Sequence, residues 1–303
     1  MKNHRDLKRF HFFGVASIVI IYLVILAGAI VRGTGAGMGC PDWPKCFGLW
    51  IPPTHVSQLP ENYQTTFSNH GEVIVEPFNP IKTWIEYINR LIGAFSGLVV
   101  LIMLFFSYKI RTTYSKAFFF TLAAFLLLLF QGWLGAKVVY TNLTPHIITY
   151  HMVIAMFIVG SLITALISTY KIQKSPLNKL FLLMLILMFI QMILGVLVRE
   201  QIDATMKKLF YESRETWLST VDYVFIIHRT FSWVILLSSL YFFFQLRKTT
   251  YALHGYFQIF GVLLLFLTGI LFQYFGFPAF AQPIHLLTTT LLIGNLFYGF
   301  SIT

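Results

Sequence analysis

Residues 117–139 read AFFFTLAAFLLLLFQGWLGAKVV, with Lys137 as the one charged side chain. Crossing the hydrocarbon of a bilayer takes about 20 apolar residues in a helix, which satisfies its own backbone hydrogen bonds where no water can. The run has the length for that and lacks the period-two alternation of a barrel strand. Seven more runs of this kind cover approximately 12–31, 84–107, 147–169, 180–198, 222–245, 254–275 and 282–300. Of the 303 residues, 57% are hydrophobic and 11% charged, and mean hydropathy is +0.74. A soluble domain carries roughly a quarter charged residues. An ordinary water-soluble globule, a disordered tail and a disulfide-rich secreted module are thereby excluded. The expectation is an all-α polytopic membrane protein with eight transmembrane helices. The first run is expected to be a retained helix, because Arg32-Gly33-Thr34-Gly35 follows it rather than a small-residue cleavage site.

The net charge of +11 is explained by where the bases fall. The N-terminal segment (Lys2, Arg5, Lys8, Arg9) and the connections after spans two (Lys109, Arg111, Lys116), four (Lys171, Lys174, Lys179) and six (Arg247, Lys248) hold twelve of the 22 basic residues and a single acid, Asp6. The other ten acids lie in, or at the ends of, the opposite-side segments. The positive-inside rule makes the basic side cytoplasmic, with both termini inside a cell (inner) membrane. The charge is read as orientation, with no nucleic-acid partner. Two sizeable loops, 33–83 and 199–221, then face outward, and loops of that length are commonly functional.

The runs repeat in order. Spans two and six begin Ile88-Asn89-Arg90 and Ile227-His228-Arg229. Spans three and five carry Gln131-Gly132-Trp133-Leu134-Gly135 and Gln191-Met192-Ile193-Leu194-Gly195. Spans four and eight place His151 and His285 after Pro145 and Pro283. The chain reads as two pseudo-symmetric four-helix bundles, 1–175 and 176–303, a parallel repeat about an axis along the membrane normal.

Of nine histidines, His4, His11 and His254 at cytoplasmic ends and His55 and His70 in the first outer loop read as solvated or interfacial. His151, His228 and His285 sit in apolar sequence near the outer ends of even-numbered spans. An ionisable group there faces the bundle interior and is a functional candidate, or else ties helices together as a polar contact. Zinc would want a closer cluster with Cys or carboxylate. Two imidazoles from facing helices suit the axial positions of a haem iron, and His228 with His285 make one such pair. Arg229 and Arg90 stand beside these positions, where an arginine either pairs with a haem propionate or snorkels to the interface. Glu86 lies one turn before position 89, either as a solvated helix-start residue or with a chemical role.

The ordered set resembles the haem A synthase family. It consists of Gly33-Thr34-Gly35-Ala36-Gly37-Met38 running into Cys40-x5-Cys46, Glu86-Tyr87-Ile88-Asn89-Arg90-Leu91-Ile92-Gly93, Gln131–Gly135 leading to His151, then His228-Arg229 and His285. The likeness covers essentially the whole chain. It implies an eight-helix enzyme that oxidises the C8 methyl of haem O to the formyl of haem A for terminal oxidases. A haem b cofactor would sit in the C-terminal half and the substrate haem in the N-terminal half. By that resemblance His228 and His285 ligate the haem b iron, His151 serves the substrate haem, Glu86 is the carboxylate implicated in catalysis, and Cys40 and Cys46 form an outer-loop disulfide, as an oxidising compartment permits. Haem O synthase and a quinol or other electron donor are the implied partners, and a homo-oligomer is left open.

The sequence departs from the family at Asn89, where the usual Glu-x-x-His-Arg has histidine. Amides are poor iron ligands, so positions 89 and 151 do not supply a bis-His pair. Three readings follow: a five-coordinate substrate iron on His151, a sixth ligand from His146 or His70, or a half that has lost activity. Other classes of function consistent with the residues are a quinol-linked diheme electron carrier and a haem transporter or chaperone.

Overall fold

The computed structural model describes residues 2–67, 77–141, 145–172, 175–209 and 213–303. Eight helices are long and apolar enough to cross a membrane: α1 Lys2–Thr34, α2 Pro80–Ile110, α3 Ser115–Tyr140, α4 Pro145–Ile167, α5 Asn178–Lys208, α6 Tyr223–Leu246, α7 Ala252–Tyr274 and α8 Ala281–Ile302. Short helical turns (Val56–Gln58, Tyr63–Thr66 and Arg214–Thr220) occupy the two long loops, and among the described residues there is no strand. The chain is an all-α, multi-pass membrane protein. His70 lies outside the described residues.

Three helices run past their apolar stretches: α1, which starts at Lys2, α2 and α5. α2 starts a turn earlier than hydropathy indicates, because Asn79 caps it. The Asn79 side chain accepts from the N–H groups of Ile81 and Lys82 at 3.0 and 3.1 Å, and Pro80 stands at the first helical position, which needs no donor. α5 continues to Lys208, so much of the expected 199–221 loop is helix. Its polar extension is held by two tertiary partners and one local one: Thr149 donates to Glu200, Arg32 donates to Asp203, and Arg199 pairs with Asp203 one turn along the same helix.

Within the first four helices α1 packs on α2, α2 on α3, α3 on α4, and α4 returns to α1. α5 to α8 close a second ring in the same order. The rings meet where α8 packs on α4 and α1, and α5 on α4. Lipid tails are as apolar as leucine, so this seam depends on close packing rather than on the hydrophobic effect. At Gly160 of α4 a Cβ would lie 2.8 Å from the Phe297 ring of α8, which is why the smallest residue stands there.

The main buried apolar cluster fills one end of the molecule, and two smaller ones, around Trp217 and around Phe47, lie at the loop end. Members of the main cluster run from Val100 to Ile110 on α2, Met156 to Ile167 on α4, Ile235 to Leu246 on α6 and Leu292 to Leu296 on α8. All lie toward the end that carries both termini. The other end, which carries both long loops, places Asn89, His151, His228 and His285 in the interior of the rings. Near the termini, His254, which the sequence reading had as solvated or interfacial, is half-buried and has a protein partner. Its ring meets Asn295 Oδ1 at 2.6 Å through Nδ1, and Asn295 donates back to the His254 carbonyl, a polar tie between α7 and α8. His11 Nε2 similarly meets Thr169 Oγ1 at 2.8 Å.

Candidate functional site

In the second ring, His285 of α8 is oriented by Thr268 of α7. Thr268 Oγ1 lies 2.6 Å from His285 Nδ1. The single hydroxyl proton already goes to the carbonyls of Leu264 and Leu265, both at 3.0 Å. The hydroxyl therefore accepts, and Nδ1–H donates. That leaves the lone pair of the imidazole on Nε2, the tautomer a metal ligand needs, fixed by the neighbour of the other nitrogen.

His228 of α6 lies against α5 at Gly195, where a Cβ would come within 3.1 Å of the imidazole Cε1. One turn toward the termini, Gln191 Nε2 donates to the His228 carbonyl at 3.2 Å. His228 on α6 and His285 on α8 stand on helices that face each other across the second ring.

The first ring repeats the clip. His151 of α4 lies against Gly135 of α3, whose Cβ would stand 3.8 Å from the imidazole Cε1, and Gln131 Nε2 donates to the His151 carbonyl at 2.8 Å. On the opposite wall Asn89 of α2 faces Gly28 of α1, where an added Cβ would stand 3.9 Å from the Asn89 Oδ1. Nδ1 of His151, Nδ1 of His228 and Oδ1 of Asn89 are buried without a hydrogen-bond partner. Each of the three histidines is surrounded by helices yet keeps accessible surface. His146 is exposed.

Glu86 and Arg90 are engaged by the first loop. Glu86 is 3% exposed; its Oε2 accepts from the Cys40 N–H at 2.8 Å and its Oε1 from Arg90 at 2.5 Å. Arg90 also donates to the carbonyls of Cys40, Asp42 and Lys45 at 2.7–3.0 Å. Neither alternative weighed for Arg90, propionate pairing or snorkelling, describes this: the guanidinium clamps the loop onto α2. Glu86 is likewise no solvated helix-start residue. Cys40 and Cys46 are joined by a disulfide, which closes the clamped segment. Arg229 is exposed, 5.5 Å from the Phe225 ring.

One cluster escaped sequence reading. At the loop end Arg32 of α1 donates to Asp203 through Nε at 2.9 Å, and Arg199 pairs with the same carboxylate at 2.8 Å, so one acid joins the two rings. The signal lay in a shared Gly-x-x-Val-Arg, at 28–32 on span one and 195–199 on span five. Above it, Trp217 is fully buried in the second loop. It packs on Phe277, which stacks on Phe272 at 4.4 Å; Phe272 in turn lies 5.4 Å from the His285 ring.

Residues 11–297 match the model of a family described as cytochrome oxidase assembly protein. The chain belongs to the cytochrome oxidase assembly protein family. Among curated relatives of this family member, the heme A synthase of Shewanella oneidensis is 38% identical over 136 residues, 45% of this chain and 38% of that protein. The heme A synthase of Alkalihalophilus pseudofirmus is 29% identical over 166 residues, 54% and 48% of the two chains. That of Pelagibacter ubique is 28% identical over 196 residues, 58% and 56%. The chain thus spans about half the length, or less, of the curated relatives it matches.

Among the described residues no three His, Cys, Asp or Glu side chains converge as they would for a bare metal ion. A porphyrin brings four nitrogens of its own and asks only for axial imidazoles. In this family member, the tautomer of His285, the glycine beside His228 and the interior space at both rings fit such a group.

Proposed function

We propose that this protein is a haem A synthase, oxidising the C8 methyl of haem O to the formyl of haem A by successive hydroxylation, in a cell (inner) membrane with both termini cytoplasmic. The two halves, 1–175 and 176–303, are pseudo-symmetric: the first holds the substrate and the second a haem b. When bound between His228 and His285, haem b supplies electron transfer. The chain's own work is positioning. Thr268 sets the His285 tautomer, Gly195 makes room for the His228 ring, and Trp217 with Phe277 closes the loop end over it. In the first half His151 presents an imidazole to the substrate, while Asn89 opposite offers only an amide. The substrate iron is then held from one side, which leaves its other face open for oxygen chemistry. Glu86, kept close to that space by Cys40 and Arg90, provides negative charge toward a cationic species at the C8 carbon or passes a proton. Haem O synthase and a quinol or other electron donor are the expected partners.

The observation that carries this reading is the arrangement of three intramembrane histidines in interior space at one end of the rings. Two of them, His151 and His228, are held by the same glutamine–glycine clip. Co-expression with haem O synthase, followed by chromatography of extracted haems, tests it: haem A is expected, and its absence refutes the activity. His285→Met and His228→Leu should each remove or alter the b-type absorption of the purified protein; an unchanged spectrum refutes the ligand assignment.

Asn89, together with the engagement of both Glu86 oxygens, one by the Cys40 N–H and one by Arg90, favours a second reading, a quinol-linked diheme carrier or a haem transporter. Under it the same extracts contain no haem A although the purified protein retains its haem spectrum.

A further inference from the structure

The guanidinium of Arg199 is satisfied on one nitrogen only. Its Nη2 reaches Asp203 Oδ1 at 2.8 Å, the Met206 sulfur at 3.2 Å and the Arg32 carbonyl at 3.3 Å. Nε and Nη1, which carry three of the five N–H donors of an arginine, are buried with no partner. Leaving charged donors dry and unpaired is among the costlier arrangements in a folded protein. The local charge is also unbalanced. Arg32 and Arg214 lie within electrostatic reach of Arg199, and Arg32 and Arg199 share Asp203. Among the described residues no second carboxylate pairs with Arg199.

The place of Arg199 follows from helix geometry. Residues four apart share a helix face, so Arg199 stands one turn beyond Gly195, the residue against which the His228 ring lies. On the other side the Arg199 guanidinium is 5.7 Å from the Phe277 ring, which reaches His285 through Phe272. The unpaired donors thus sit on the loop side of the two imidazoles, at the rim of the space between them.

We propose that Arg199 is the seat of a porphyrin carboxylate, receiving a propionate of the haem held by His228 and His285. Asp203 and Arg32 hold the guanidinium in place from behind. This rests on the haem reading of the second ring. It moves the propionate contact from Arg229, which is exposed, to an arginine whose Nε and Nη1 are buried. A carboxylate on Nε and Nη1 completes the donor set and offsets the excess positive charge.

The test uses the full chain in detergent, titrated with haem b and with its dimethyl ester, which has the same ring and iron but no carboxylates. The unsubstituted protein should bind the ester on the order of tenfold or more weakly than haem b, the size of a charge-assisted hydrogen bond lost. In Arg199→Gln that discrimination should largely vanish, and the midpoint potential of bound haem b should fall, because a lost cation favours ferric iron. Arg199→Lys keeps the charge next to Asp203 but not the donor geometry, and should show intermediate discrimination if the glutamine variant fails to fold. Equal affinity for haem b and ester in the unsubstituted protein overturns the proposal while leaving the haem reading standing, as does full discrimination in the variants. A protein that takes up no haem at all, and shows no b-type spectrum, overturns both.

Discussion

Thr268 carries one proton and gives it to its own helix, so a hydroxyl that looks like a minor helix residue decides which nitrogen of His285 is free. Partners of this type commonly change metal affinity by about 10–100-fold. Thr268→Val should weaken haem binding by about that factor in a spectral titration, with Thr268→Ser close to the unsubstituted protein; if valine binds equally well, the hydroxyl does not set the tautomer. Glu86 presents a different problem at the same scale, since it serves the loop as well as any chemistry. Glu86→Ala leaves Arg90 and the Cys40 N–H without their carboxylate, and limited proteolysis should then cut the first loop faster. Glu86→Gln keeps an acceptor of nearly the same shape and should protect the loop better while removing the charge. Activity lost in both variants with loop protection retained in the glutamine variant separates a chemical role from a structural one.

At the level of helices, the repeated unit is a glutamine and a glycine four residues later on one helix, gripping a histidine on the next. The two copies differ in tightness. At Gly195 an added Cβ would be 3.1 Å from the His228 ring, and at Gly135 it would be 3.8 Å from the His151 ring, an ordinary van der Waals distance. Gly195→Ala should therefore displace His228 and lower the haem content of the purified protein, whereas Gly135→Ala should leave haem content unchanged; equal effects would mean that the rings are not held by these contacts. The helix ends follow local chemistry in one case and tertiary chemistry in the other. The start of α2 is written in Asn79-Pro80, a cap followed by a residue that needs no donor. The end of α5 runs past its apolar stretch because Thr149 and Arg32 supply partners to Glu200 and Asp203; of its ion pairs only Arg199 with Asp203, four residues apart, is visible in a window of α5 sequence.

For the molecule as a whole, the two rings are joined at the termini end by packing and at the loop end by Asp203. Breaking a shared, mostly buried ion pair by removing one charge costs on the order of 3 kcal/mol. Asp203→Asn would leave Arg32 and Arg199 facing each other, and should lower the thermal midpoint in detergent. An unchanged midpoint would show that the rings are held by the α8 seam alone. The arrangement also separates tasks: the dense apolar end provides rigidity, while the loop end keeps interior space beside the histidines.

Eight spans, the charge asymmetry between their connections and the ordered set from Gly33 to His285 were determined by the sequence alone, because apolar length and charge placement are local properties that a bilayer reads directly. The histidines of interest were legible for the same reason: an ionisable residue in an apolar run stands out. What only the tertiary structure decided is whom each polar group meets. Arg90 clamps the first loop, His254 bonds Asn295, Thr268 meets His285, and Arg32 reaches Asp203 across 171 residues. A hydrogen bond needs its partner within about 3 Å, and that proximity is created by helix packing between distant segments, which no single stretch of the chain encodes.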